Sequence, residues 1–173
     1  SEKEEVDETL RRLEEEHERV VRDAKRRLEE DHEKLRRVIR DSDRINDEIN
    51  KKAEEDRLEE ELLKRLRDKS KKLREDLEDL LRRHKEKLDR IDEELKEDHK
   101  RLKEEAKRLR ERLDELDAEE LKRILDETRE RIRESMEEIK RKLEESRRES
   151  EDIRRKLKED NDRLKKELDD RAK

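Results

Sequence analysis

Apolar residues recur along this chain at steps of three and four, in three stretches separated by two losses of phase. The first stretch runs Val6, Leu10, Leu13, Val20, Ala24, Leu28, Leu35, Ile39, Ile45, Ile49 and Ala53. That spacing lays one apolar stripe along one face of a helix. From Ala53 to Leu58 the step is five, which turns the stripe out of register, and Asp56 with Glu59 three residues on reads as a helix N-cap with its reciprocal partner. A second stripe runs from Leu58 through Leu62, Leu66, Leu73, Leu77, Leu80, Leu88, Ile91, Leu95, Leu102, Ala106, Leu109 and Leu113 to Leu116. The step from there to Leu121 is again five, and Asp117 with Glu120 repeats the cap signature. The third stripe continues through Ile124, Ile132, Met136, Ile139, Leu143, Ile153, Leu157 and Leu164 to Leu168.

The pattern predicts helices near 2–52, 57–114 and 118–171, each roughly 75–85 Å long at 1.5 Å per residue. Short connections make sequence neighbours antiparallel. The expected fold is therefore all-α: an antiparallel, up-down-up three-helix bundle of coiled-coil character, forming a single domain over residues 1–173. Asp41-Ser42-Asp43 is a further cap candidate, but the stripe passes through it in phase, so the first helix is expected to be unbroken. Ser1-Glu2-Lys3-Glu4 reads as a capping-box start rather than a signal peptide.

Wherever the stripe skips a beat, a neutral polar residue fills the gap. His17 lies between Leu13 and Val20, His32 between Leu28 and Leu35, Ser70 between Leu66 and Leu73, His84 between Leu80 and Leu88, and His99 between Leu95 and Leu102. Thr128 precedes Ile132, Ser146 and Ser150 bridge Leu143 to Ile153, and Asn161 separates Leu157 from Leu164. Facing residues of an antiparallel pair have numbers of constant sum. His17 with His99, His32 with His84 and Asn46 with Ser70 all sum to 116. Between the second and third helices, His99 with Ser135 and His84 with Ser150 sum to 234, and Ser70 with Asn161 to 231. One register thus aligns three polar layers: His17/His99/Ser135, His32/His84/Ser150 and Asn46/Ser70/Asn161. Thr9, Ala106 and Thr128 form a weaker fourth. A turn centred on Asp56 would give a sum nearer 112, about one helical turn from the layer register. Such layers penalise wrong pairings, because a slipped helix would set an imidazole or amide against Leu at about 1–3 kcal/mol for each unpaired group.

Composition sharpens this picture. Charged residues make up 67% of the chain and hydrophobic ones 24%, close to the share of about 28% that a strict two-in-seven seam requires. The 55 basic and 61 acidic residues are interspersed, giving a net charge of −6. A solitary charged helix would need no stripe, so the stripe favours a bundle. The chain has no Cys, hence no disulfide or thiolate chemistry. The acidic balance and the absence of aromatic residues argue against nucleic acid, which needs a basic stripe and stacking platforms. No apolar run approaches a membrane span, and no cationic amphipathic face suits a membrane surface.

The absence of Gly, Pro, Gln and aromatic residues, the Glu/Lys/Arg surface, the Asp56 and Asp117 caps and the His/Ser/Asn layers resemble one class of protein over the whole length. These are de novo designed helical bundles with built-in hydrogen-bond networks. The resemblance implies an idealised scaffold with no substrate and no native compartment. The absence of Gly at the turns departs from that pattern and bears on turn geometry.

The expected function is accordingly structural, with no catalytic residues, no cofactor and no metal. An alternative is a pH-responsive bundle, since four seam histidines would change charge near pH 6–6.5. Glu14/His17 and Glu29/His32 have a Glu-x-x-His spacing found in di-metal bundles, but Glu is so frequent that chance accounts for it. A Ser–His dyad such as His99 with Ser135 would lack an oxyanion hole inside a helix. Extra apolar residues at Val21, Val38, Leu63, Leu81 and Leu125 widen the seam without making a second one, so a monomer is expected, with self-association or a helical partner as the alternative. A natural coiled-coil spacer is disfavoured by the missing Gln and aromatics.

Overall fold

The computed structural model describes residues 2–173. It is an all-α three-helix bundle, with α1 at Glu2–Glu54, α2 at Glu60–Glu111 and α3 at Ala118–Arg171. No Gly or Pro interrupts any helix. Acidic residues occupy the first turns and basic residues the last, matching the helix dipole at both ends. Helix α1 runs unbroken through Asp41-Ser42-Asp43. The expected Ser1 cap lies outside the described residues.

The two connections end their helices by different means. Asp56 does not cap α2. It stands after the end of α1 at φ 55°, the left-handed position that Gly usually takes. The Arg57 amide donates to the Lys52 carbonyl at 3.0 Å, and the Asp56 amide to the Ala53 carbonyl at 3.1 Å. This pair of bonds is a Schellman motif with Asp in the glycine position, and Asp tolerates that conformation better than most side chains. The α2 start falls later than the phase break suggests, and the Leu63 amide donates to the Glu59 carbonyl at 2.8 Å. The connection therefore centres nearer Arg57, which moves the expected pairing sum toward the observed register. At the second connection, the Glu120 amide donates to Asp117 Oδ1 at 2.8 Å, so Asp117 caps α3. The end of α2 tightens, with Leu113 and Glu115 amides each donating to a carbonyl three residues back.

The chain divides into two compact units, and every helix contributes a segment to each. Unit 1 comprises Ser1–Leu28 and Leu88–Ser146. One of its clusters joins Val21, Ala24 and Leu28 to Leu88, Ile91, Leu95 and Ile139. Another joins Val6 and Leu10 to Ala106, Leu109, Leu113 and Leu121. Flanking ion pairs hold the same antiparallel register: Asp7 and Glu14 accept from Arg110 at 2.7 and 3.1 Å, and Asp92 pairs with Lys25 at 3.4 Å.

Unit 2 comprises Glu29–Lys87 and Arg147–Lys173. Its clusters gather Ile45, Ile49, Leu58, Leu66, Leu164 and Leu168, and separately Val38, Leu77 and Leu157. Leu58 anchors the α1–α2 connection into the first of these. The Lys173 amide donates to the Arg57 carbonyl at 2.9 Å, and Arg57 Nε donates back to the Lys173 oxygen at 2.7 Å, fixing that connection against the end of α3. Exposed ion pairs such as these contribute little each, about 0–1 kcal/mol, so the apolar clusters carry the fold.

Candidate polar layers of the core

The first polar layer lies in unit 1 and joins three helices through one side chain. His17 is 1% exposed. Its Nδ1 lies 3.1 Å from His99 Nδ1 on α2, and its Nε2 lies 3.3 Å from Ser135 Oγ on α3. The two rings are parallel within 5°, with centroids 5.3 Å apart. Once the 3.1 Å between nitrogens is taken from that separation, only the two ring radii remain. The nitrogens therefore sit near the line joining the centroids, and the imidazoles meet edge to edge, as a hydrogen bond requires. One Nδ1 donates and the other accepts, which couples the two tautomers. His99 Nε2 is buried without a hydrogen-bond partner among the described residues. Ser135 and His99 are half-buried, and Ser135 and His17 border a surface groove.

The second layer lies in unit 2. His32 and His84 are parallel within 4°, with centroids 5.9 Å apart. His84 is 5% exposed, and neither of its ring nitrogens has a hydrogen-bond partner. Ser150 is buried but does not reach them. The structure thus sets the two imidazoles parallel at one level without tying His84 to α3.

The third layer does not assemble as expected. Ser70 Oγ donates to Asn46 Oδ1 at 3.3 Å, but Asn46 itself is exposed. The buried α1 positions there are Val38, Ser42, Ile45 and Ile49, and Asn46 follows Ile45 by one residue, which rotates it off the seam. Asn161 is buried apart from that pair and donates from Nδ2 to the Val38 carbonyl at 3.2 Å, while its Oδ1 has no partner. Ser42, 2% exposed, is the seam residue missed in the sequence. Its steps from Val38 and to Ile45, four and three, would have found it. The fourth layer is also local: Thr9 Oγ1 donates back to the Glu5 carbonyl at 2.8 Å, Thr128 is buried, and Ala106 packs in the apolar cluster.

Burial holds three histidines neutral. The pKa of His17 is lowered by desolvation and then by the charge of His99, against the attraction of Asp98. That of His84 is lowered by desolvation, His32 and Lys87, against Glu149. That of His99 is lowered by desolvation and Lys103, against Glu18 and Glu14. Glu14, a partner in the Glu-x-x-His spacing, is taken up by Arg110. Among the described residues no group of three or more His, Cys, Asp or Glu side chains is arranged to hold a metal ion. No described helix is long and apolar enough to cross a membrane. No known protein family, curated protein or solved structure matches the chain.

Proposed function

We propose that this chain is a designed structural scaffold without a native biochemical activity, and that its polar layers select the helix register. The observation carrying this reading is His17, whose two ring nitrogens reach two different helices from one buried site. A heptad slip would leave those nitrogens and their partners unpaired. The scaffold acts as a monomer: no large hydrophobic side chain is exposed among the described residues, so nothing invites a second copy.

The test replaces the first layer by apolar residues, His17→Leu, His99→Leu and Ser135→Ala, and reads register by cross-linking. Cysteines at positions 25 and 92, where the side chains of Lys25 and Asp92 pair, come within reach of a short bis-maleimide cross-linker in the native register. Quantitative cross-linking in the parent and partial cross-linking, or higher solution mass, in the apolar variant are the expected results. Identical cross-linking and mass in both would show that the layer does not select register.

A second reading is favoured by the His17–His99 contact. Two imidazoles whose Nδ1 atoms lie 3.1 Å apart share one proton between them, and protonating both sets two charges edge to edge. A bundle built on such contacts loosens in acid, which makes it pH-responsive.

A further inference from the structure

The first layer also holds a hydroxyl, a base and a group that orients the base, in line. We propose that Ser135 is a nucleophile toward activated acyl esters, with His17 as its general base and His99 as a positioning residue. The proposal stands apart from the scaffold reading, because a layer can select register whether or not Ser135 reacts.

Ser135 Oγ lies 3.3 Å from His17 Nε2, at the loose end of the range for a nucleophile and its base at rest. His99 Nδ1, 3.1 Å from His17 Nδ1, accepts the Nδ1 proton in the tautomer that frees Nε2 to act as base. His99 thereby plays the orienting part that a carboxylate plays in hydrolytic triads. Burial keeps His17 uncharged at neutral pH, so its lone pair is available. Access is provided by a groove of about 230 Å³ whose lining includes Ser135, His17, Leu102, Ile132, Arg101 and Arg131. Leu102 and Ile132 offer an apolar wall for an aryl group; around them Asp98, Glu105, Glu134 and Glu138 outnumber the two guanidiniums, and Arg131 is paired with Glu105 at 3.1 Å, so the rim favours a neutral ester.

The reaction balances without a further reagent. The Oγ lone pair forms a bond to the ester carbonyl carbon as the hydroxyl proton passes to His17 Nε2. The tetrahedral intermediate collapses, and the aryl C–O bond breaks with its electron pair on the phenolate. The imidazolium returns its proton to water, leaving acyl-Ser135, phenolate and a proton. Mid-helix backbone N–H groups are bonded within the helix, so no oxyanion hole assists. The expected chemistry is therefore stoichiometric acylation with slow release, confined to good leaving groups.

The test uses p-nitrophenyl acetate with the full chain. A burst of about one equivalent of p-nitrophenolate should coincide with one acetyl group mapped to Ser135 by peptide mass spectrometry. Ser135→Ala should abolish both. His17→Gln should slow acylation of Ser135 by about 100-fold or more, the usual contribution of a general base. Because His17 is buried, two variants of the more exposed His99 give a second test: in His99→Asn the amide can still accept from His17 Nδ1 and should keep the acylation rate, whereas His99→Ala removes the acceptor and should slow it. The rate should level off above the His17 titration, below pH 6.5. A burst that survives Ser135→Ala, an acetyl group on a lysine or imidazole instead, or a rate that keeps rising toward the lysine range would overturn the proposal.

Discussion

Lowering the pH from 7.5 to 5 should weaken this bundle well before its carboxylates titrate. His17, His84 and His99 have folded-state pKa values below 6.5, chiefly through desolvation. In the unfolded chain each returns to about 6.5. Above that pH neither state is protonated and the histidines leave stability unchanged. As the pH falls below 6.5, the unfolded imidazoles take up protons that the folded ones refuse, so the unfolded state is favoured. The loss stops growing once the pH has passed the folded pKa. Between the two values each imidazole removes about 1.4 kcal/mol per pH unit. His17 and His84, 1% and 5% exposed, set the slope, together at most about 2.7 kcal/mol per unit, and the more exposed His99 adds less. Carboxylates act later. The Glu167 pKa is held below 4.5 by Lys69, so its stabilisation is lost only in stronger acid. Burial raises that of Asp31 above 3.8, so Asp31 offsets a little of the loss. Urea unfolding followed by circular dichroism at half-unit steps of pH measures the slope directly. A midpoint that stays constant from pH 7.5 to 5 would refute the reasoning. So would an unchanged slope in the double variant His17→Asn/His84→Asn, which has lost the titrating groups.

Two further substitutions test the helix ends. Asp56→Gly should raise stability by about 0.5–1 kcal/mol, because glycine removes the side-chain penalty at φ 55° but restores some chain entropy on unfolding; the denaturation midpoint reads the gain. Asp117→Ala should lower stability by about 1 kcal/mol through loss of the 2.8 Å bond to the Glu120 amide, and amide hydrogen exchange should rise first in the opening turn of α3.

The helices were legible in the sequence because a period near 3.6 survives substitution of any single position, and each loss of phase marks a place where one face cannot continue. The helix ends were less legible. Asp56 and Asp117 carry the same local signature, Asp followed three residues later by Glu, yet one terminates a helix and the other starts one. The difference lies in backbone dihedrals that side-chain identity alone does not fix. The constant-sum rule located His17 opposite His99 and His32 opposite His84, because two residue numbers fix the level of a pair. It could not fix rotation about the helix axis. Asn46 meets Ser70 at the right level but from the exposed side, and the buried position belongs to Ser42. The same ambiguity separates adjacent residues elsewhere: Val21 and Val38 are the buried members of pairs in which the stripe was drawn through Val20 and Ile39.

The two histidine layers share a level rule but not an energetic role, and one comparison separates them. Replacing His17 or His84 with Leu gives nearly the same gain in apolar burial, since both sites are almost closed to water. That term cancels in the difference between the variants. What remains is the hydrogen bonding. His17→Leu removes contacts to His99 and Ser135, about 1 kcal/mol each, and leaves His99 Nδ1 without its partner at a further 1–3 kcal/mol or so. His84→Leu removes two buried nitrogens that have no hydrogen bond to lose. The His84 variant should therefore be more stable than the parent, and more stable than the His17 variant by about 3 kcal/mol or more. Paired urea titrations at pH 7.5, where neither imidazole is charged, isolate this difference from the acid effect. Equal shifts in the two variants would mean that the His17 contacts contribute nothing net, and a loss in the His84 variant would mean that its ring packs better than an aliphatic chain of similar volume.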